Sequence, residues 1–290
     1  MRKLFVAIAL AGCVPGADPG VFARSGGDPE AHDAGATTIA DGSRAPADGS
    51  SAMDASTDAA PFDAAACVVC DDFEHAAVGS APSAPWTIAT PSCSGAGKMA
   101  IDDAQAHGGA RSVKVVGGGG YCDHVFIAAP IPALAVTWVR FFVRLDAPLG
   151  NGHTTFLAMR DARASKDVRM GGQNGVLMFN READDATLPE MSPAGVALSV
   201  APRARAWTCI ETAIDSAART IRTWVDGALV AGLVEDGVPT PDVDATWLRD
   251  AAWAPDLVDV RFGWESYAGQ AITLWFDDVA IGPARFGCGP

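Results

Sequence analysis

His153 follows a Gly150-Asn151-Gly152 turn and opens a strand-like run, a position from which an imidazole can accept a proton. Period-two alternation over 154–159 puts His153 on one face with Thr155, Leu157 and Met159. Arg169 and Gln173 lie in the next strand region, and Asn180 ends the one after it. Tyr267 and Tyr121 are the two tyrosines of the chain. These side chains supply a guanidinium to pair with a sugar carboxylate, amides to bond it, and an imidazole or phenol to take the neighbouring carbon-bound proton. Such a set matches β-elimination on a uronate, which needs charge neutralisation, a base, and an acid for the leaving oxygen. The same residues also read as polar groups that merely cap strands.

The elements that must position them are strands. Residues 110–116 and 136–145 alternate apolar and polar, and further strand-like runs cover 154–159, 176–179, 207–214, 220–225, 258–264 and 272–281. Gly-rich or Asn/Asp-Gly turns separate them, and Asp226-Gly227 after Trp224-Val225 predicts a tight hairpin, because both residues tolerate positive φ. No stretch of a dozen residues keeps a helical period, and 213–219 reads as a turn. The pattern predicts one antiparallel all-β sandwich, a jelly roll, over residues 67–290.

The first sixty-six residues obey different physics. Met1-Arg2-Lys3, an apolar run and Leu10-Ala11-Gly12-Cys13 form a secretory signal that resembles a bacterial lipobox, with Cys13 as the acylated residue. Val14 after that cysteine implies the outer membrane of a Gram-negative cell rather than retention at the inner one. Residues 14–66 are Ala, Asp, Gly, Ser, Thr and Pro with nine acids against two arginines, which predicts a disordered tether. As a coil it would span roughly 40 Å. The chain's net charge of −14 excludes nucleic acid as a natural partner, since phosphate contacts need Lys and Arg. Six cysteines remain after Cys13, and in an exported domain they predict up to three disulfides. Cys67-x-x-Cys70 lacks the second ligand pair that zinc needs. Cys93 with Cys122 is the first pairing expected, as both sit in Gly-rich segments flanking one strand. Cys288 with Cys70 or Cys67 would tie the two ends, a closure of about 4–5 kcal/mol.

Cys70-Asp71-Asp72-Phe73-Glu74 opens the domain and Trp275-Phe276-Asp277-Asp278-Val279-Ala280-Ile281-Gly282 closes it. Between them stand Gly109-Ala110-Arg111-Ser112-Val113, His153-Thr154-Thr155-Phe156-Leu157 and Trp224-Val225-Asp226-Gly227. This layout resembles concanavalin A-like jelly rolls, in particular the group of the fungal cellulose-induced protein and glucuronan lyases. The resemblance implies a concave groove that binds polysaccharide, with His153, Arg169, Gln173 and Tyr267 as candidate catalytic residues and Asn180 and Trp264 as sugar contacts. It also implies a structural calcium ion held by Glu74 and Asp277, with backbone oxygens near Gly108 and Gly109 and the Ser112 hydroxyl. Alginate-lyase strings such as Gln-Ile-His are absent, which weighs against lyase catalysis, and the Glu-x-Asp-x-x-Glu strand of retaining glucanases is absent too, which argues against a hydrolase. Of eight tryptophans, Trp247, Trp253 and Trp264 are the ones expected to be available to a ligand, the rest being core. The reading is a monomeric, surface-anchored, carbohydrate-interacting lipoprotein. A polysaccharide lyase and a structural or adhesion protein without a glycan ligand are the alternatives.

Overall fold

The computed structural model describes residues 67–289. Cys13 and the tether 14–66 lie outside the described residues. In chain order the strands are β1 (Val69–Asp71), β2 (Thr87–Ala89), β3 (Lys98–Asp102), β4 (Ser112–Gly117), β5 (Val125–Pro130), β6 (Val136–Leu145), β7 (Thr154–Asp161) and β8 (Lys166–Gln173). They continue with β9 (Val176–Arg181), β10 (Ala186–Leu188), β11 (Trp207–Asp215), β12 (Thr220–Val225), β13 (Ala228–Glu235), β14 (Asp259–Ser266) and β15 (Ile272–Gly282). One sheet runs β13-β12-β11-β6-β15-β4-β3, with β1 also on β15; the other runs β10-β9-β8-β7-β14-β5-β2. Every strand pair within them is antiparallel, so the domain is the expected all-β sandwich.

Alternation along each strand sorts its residues. On β6, Val139, Phe141, Val143 and Leu145 are fully buried, whereas Trp138 and Arg144 are partly exposed. Phe141 and Phe276 from the eight-stranded sheet meet Phe262 from the seven-stranded one, with ring centroids 5.1 Å and 5.5 Å from it. Each such ring contributes about 1.5–3 kcal/mol by leaving water, which makes this contact a main tie between the sheets. The Asp226-Gly227 hairpin forms as expected: Val225 pairs with Ala228, and the turn residues have φ of 49° and 83°.

Three disulfides staple the domain: Cys67–Cys70, Cys93–Cys122 and Cys209–Cys288. The second is the pairing expected. The third corrects the expectation that Cys288 joins Cys70 or Cys67. The C-terminal segment instead crosses β11, where Glu211 accepts backbone N–H bonds from Phe286 and Gly287 at 3.0 Å and 2.7 Å, and this delivers Cys288 to Cys209. Cys67 and Cys70, with Cα atoms 6.0 Å apart, bridge each other.

One irregularity matters for the site. Between Thr155 and Leu157 the pairing of β7 with β8 slips, and between Phe262 and Glu265 the pairing of β14 with β7 slips. Phe156 and Leu157 consequently both enter the core, as does Met159. The bulge resets the phase, so His153 does not share a face with Leu157 and Met159, as simple alternation predicts; it stands on the opposite, outer side. Gly171 permits the close approach there, because a Cβ on it would lie 1.9 Å from the Thr154 carbonyl oxygen.

Candidate functional site

The outer face of the seven-stranded sheet carries a pocket of about 420 Å³. Asp167 and Arg169 of β8, Arg160 of β7, and Asp259, Arg261 and Glu265 of β14 line it, together with Glu182 and Tyr121. Period-two spacing explains the set: Asp167-Val168-Arg169 and Asp259-Val260-Arg261 each turn two charges outward around one buried valine. Arg261 bonds Asp167 at 2.8 Å and Asp259 at 2.8 Å, Arg160 reaches Asp167 at 3.3 Å, and Arg169 reaches Glu182 at 3.2 Å. Burial pulls the Glu182 carboxyl up, but the Asp167 N–H, Arg169 and Lys166 outweigh it and hold the group below its ordinary range.

Beside this ladder lies an aromatic and imidazole cluster. The His153 ring stacks on Tyr267 with centroids 5.0 Å apart and planes within 16°. Arg169 packs over the same phenol at 5.6 Å, and Tyr121 approaches it at 5.3 Å. The Tyr267 phenol and the Glu265 carboxylate interact. Burial, with the Arg169 charge, holds the His153 imidazole below its ordinary pKa, so the ring is neutral at neutral pH; Asp185 opposes this. Burial and then the Glu265 charge push the Tyr267 phenol up, which keeps it protonated. Burial likewise raises Glu265, against Arg169, Tyr267 and His124. The fully buried His124 places Nδ1 at 3.4 Å from Glu265 Oε1, without the alignment of a hydrogen bond.

The structure therefore brings together His153, Arg169 and Tyr267. Asn180 is the cross-strand partner of Arg169, but it is buried and its amide donates to Asp185 at 2.7 Å. Gln173 turns its amide onto Met191 Sδ at 2.8 Å. Trp264 is corrected: it is wholly buried, its indole N–H donating to the Gln270 carbonyl at 3.2 Å, because alternation puts it inside with Phe262. Trp247 and Trp253 are buried too, packed edge to face around Arg181, so none of the three tryptophans named is open to a sugar. Sequence reasoning did not place Glu265, Asp185, His124 or the arginine–carboxylate ladder at the site. The paired Asp-Val-Arg strings were the signal available for the ladder.

Glu74 and Asp277 meet on the loop 107–111. Glu74 Oε1 accepts the N–H groups of Ala110 and Arg111, each at 2.7 Å, and Asp277 Oδ2 accepts those of His107 at 2.7 Å and Gly108 at 3.3 Å. Asp277 is wholly buried, and burial, with Asp278 beside it, pushes its carboxyl up to about 7. Ser112 Oγ donates to the Gln105 carbonyl at 2.6 Å. Hard oxygen donors around a buried carboxylate fit calcium by type, although an ion would share oxygens already engaged by peptide N–H groups. Among the described residues, no cluster of three or more His, Cys, Asp or Glu is arranged to hold a metal.

The family model described as the Cip1-like core domain of polysaccharide lyase-like proteins matches residues 72–284. The solved structure of Cellulose induced protein, Cip1, superposes with a TM-score of 0.70 at 41% identity, over 76% of this chain and 100% of that one. An endo-β-1,4-glucuronan lyase from the fungus Trichoderma reesei aligns with a TM-score of 0.46 at 16% identity, over 71% of this chain and 94% of that one. A search of curated protein sequences returns no match. The chain belongs to the Cip1-like polysaccharide lyase-like family.

Proposed function

We propose that this protein is a surface-anchored lipoprotein that binds acidic polysaccharide in the groove of its seven-stranded sheet. The observation that carries the reading is the convergence of His153, Tyr267 and Arg169 beside an open, ion-paired pocket. The guanidinium of Arg169 meets a uronate carboxylate, and the exposed rings of Tyr121 and Tyr267 supply faces for sugar. Acylation at Cys13 and the spacer 14–66 hold the domain at the outer membrane while letting it reach its ligand. Titration with uronate-containing oligosaccharides tests this reading. Tight binding lost in Arg169→Ala is the expected result; a glycan array that stays blank with calcium present would leave a structural or adhesion protein instead.

A second reading, cleavage by β-elimination, rests on the protonation states of the stacked pair. Neutral His153 takes the C5 proton of the uronate, whose charge Arg169 neutralises. The C5–H electrons form the C4–C5 double bond as the C4–O4 bond breaks, and Tyr267 gives its proton to the leaving oxygen. This assigns the base to His153 and the acid to Tyr267. Appearance of the ultraviolet absorbance of an unsaturated uronate, abolished in His153→Ala, is the expected outcome; binding without that absorbance on glucuronan, alginate and pectate means a binding module.

A calcium ion at Glu74 and Asp277 is part of the proposal, with stability as its role. Chelation should lower the melting temperature of the domain, and an unchanged value counts against the ion.

A further inference from the structure

The site has two chemically different halves that meet at Arg169, which lines the pocket and stands over the Tyr267 ring. At the His153–Tyr267 end, Arg169 stands over the phenol ring with exposed aromatic surface around it. At the pocket end, Arg160, Arg169 and Arg261 face Asp167, Glu182, Asp259 and Glu265, so carboxylates outnumber guanidiniums. Arg160 and Arg261 both lean on Asp167, at 3.3 and 2.8 Å, whereas the partner of Arg169, Glu182 at 3.2 Å, is also held by Lys166 at 3.2 Å and by the Asp167 N–H at 2.8 Å, so Arg169 can turn to a ligand without leaving a carboxylate bare. Asp167 and Arg261 are also more than nine-tenths buried, which makes the lattice costly to rearrange.

A second uronate seated on the pocket half would have to draw a guanidinium from its partner, leaving a protein carboxylate bare beside the incoming one. Like charges in a partly desolvated site repel strongly. A neutral sugar has no such difficulty. Each hydroxyl is both donor and acceptor, so it can accept from Arg160 or Arg261 and donate to Asp259 or Glu265 at once. Tyr121, lining the pocket and 43% exposed, offers the ring face such a sugar needs.

We infer that the groove selects a chain in which an acidic sugar at Arg169 is flanked by an uncharged sugar on the pocket side, and discriminates against a chain with a carboxylate on every residue. This deepens the binding reading above and rests on it.

The test compares three probes on the full chain by calorimetry at fixed ionic strength. They are deacylated gellan oligosaccharides, in which neutral sugars separate the glucuronates; glucuronan oligosaccharides, with a carboxylate on each residue; and neutral cello-oligosaccharides. The expected order is gellan-type first, with at least a tenfold margin (about 1.4 kcal/mol) over each of the others. Glu182→Gln, which removes one carboxylate at the groove rim, should narrow the margin over glucuronan. Asp167→Asn should narrow it further, with circular dichroism checking its fold. Glucuronan binding as tightly as the gellan type, or Glu182→Gln leaving the margin unchanged, would overturn the inference while keeping the binding reading. Cello-oligosaccharides binding equally well would overturn the acidic subsite. No binding by any probe would sink the binding reading itself.

Discussion

On the outer face of the eight-stranded sheet, large rings are covered by the chain's own side chains. Arg285 sits 4.3 Å over Trp224, which stacks on Trp138; His107 lies 3.5 Å from Phe142 and nearly parallel to it; Lys114 reaches over Trp275. The C-terminal segment is clasped to the same face through Glu211 and the Cys209–Cys288 bridge. On the outer face of the seven-stranded sheet, His153 and Arg169 pack against Tyr267, yet Tyr121 and Tyr267 remain 43% and 42% exposed and the pocket beside them is open. Both faces come from the same strand alternation. What separates them is where the chain returns after β15: the following segment goes to one face, and the other is left open.

The largest expected effect breaks the closed face. Replacing Cys209 and Cys288 with serine opens a link across 79 residues, which should cost about 4–5 kcal/mol in denaturant unfolding while leaving glycan affinity unchanged. Next comes the open face: Arg169→Ala should lower affinity for an acidic oligosaccharide about 100-fold, roughly 2–3 kcal/mol, with little change in unfolding.

A smaller effect lies in β13, at the edge of the eight-stranded sheet. Burial, with Asp244 and Asp236, raises the Glu235 carboxyl to about 7. A folded-state value above the unfolded one means the native protein binds the extra proton. Stability from this group is therefore complete below about pH 4.5 and is lost as pH rises through 7. Between pH 5 and pH 8 Glu235 should contribute a loss on the order of 2 kcal/mol, to which Asp277, also raised to about 7, adds its own, and Glu235→Gln should reduce the slope by the Glu235 share. The smallest effect is Trp224→Ala, which removes a stacked ring and its arginine contact. It should cost about 1 kcal/mol of stability and leave affinity unaltered.

The sandwich was legible because alternation and turn residues act locally. The run 136–145 and the Asp226-Gly227 hairpin each carry their own instruction. His153, Arg169 and Tyr267 were legible as reactive types, yet the face of His153 was not, since the bulge at Phe156 and Leu157 depends on pairing with β8 and β14. Glu265 reads in the sequence as a lone carboxylate beside Trp264, because its partners, Tyr267 and His124, come from two different stretches of chain, one of them far away in sequence. Trp264 was misread as a sugar platform because composition counts indoles without saying which way each points. The Cys209–Cys288 bridge was hidden for a related reason: the path of the C-terminal segment follows from Glu211, a carboxylate that is fully buried in the fold and unremarkable in the sequence.

The central claim is that polysaccharide occupies the open face and leaves the covered one alone. Hydroxyl-radical footprinting tests it directly, because the chain's two tyrosines, Tyr121 and Tyr267, both stand at the groove, while Trp138 and Trp224 mark the other face. With a saturating gellan-type oligosaccharide, oxidation of Tyr121 and Tyr267 should fall sharply and that of Trp138 and Trp224 should stay as it is. Protection of the two tryptophans with the tyrosines unchanged would contradict the account.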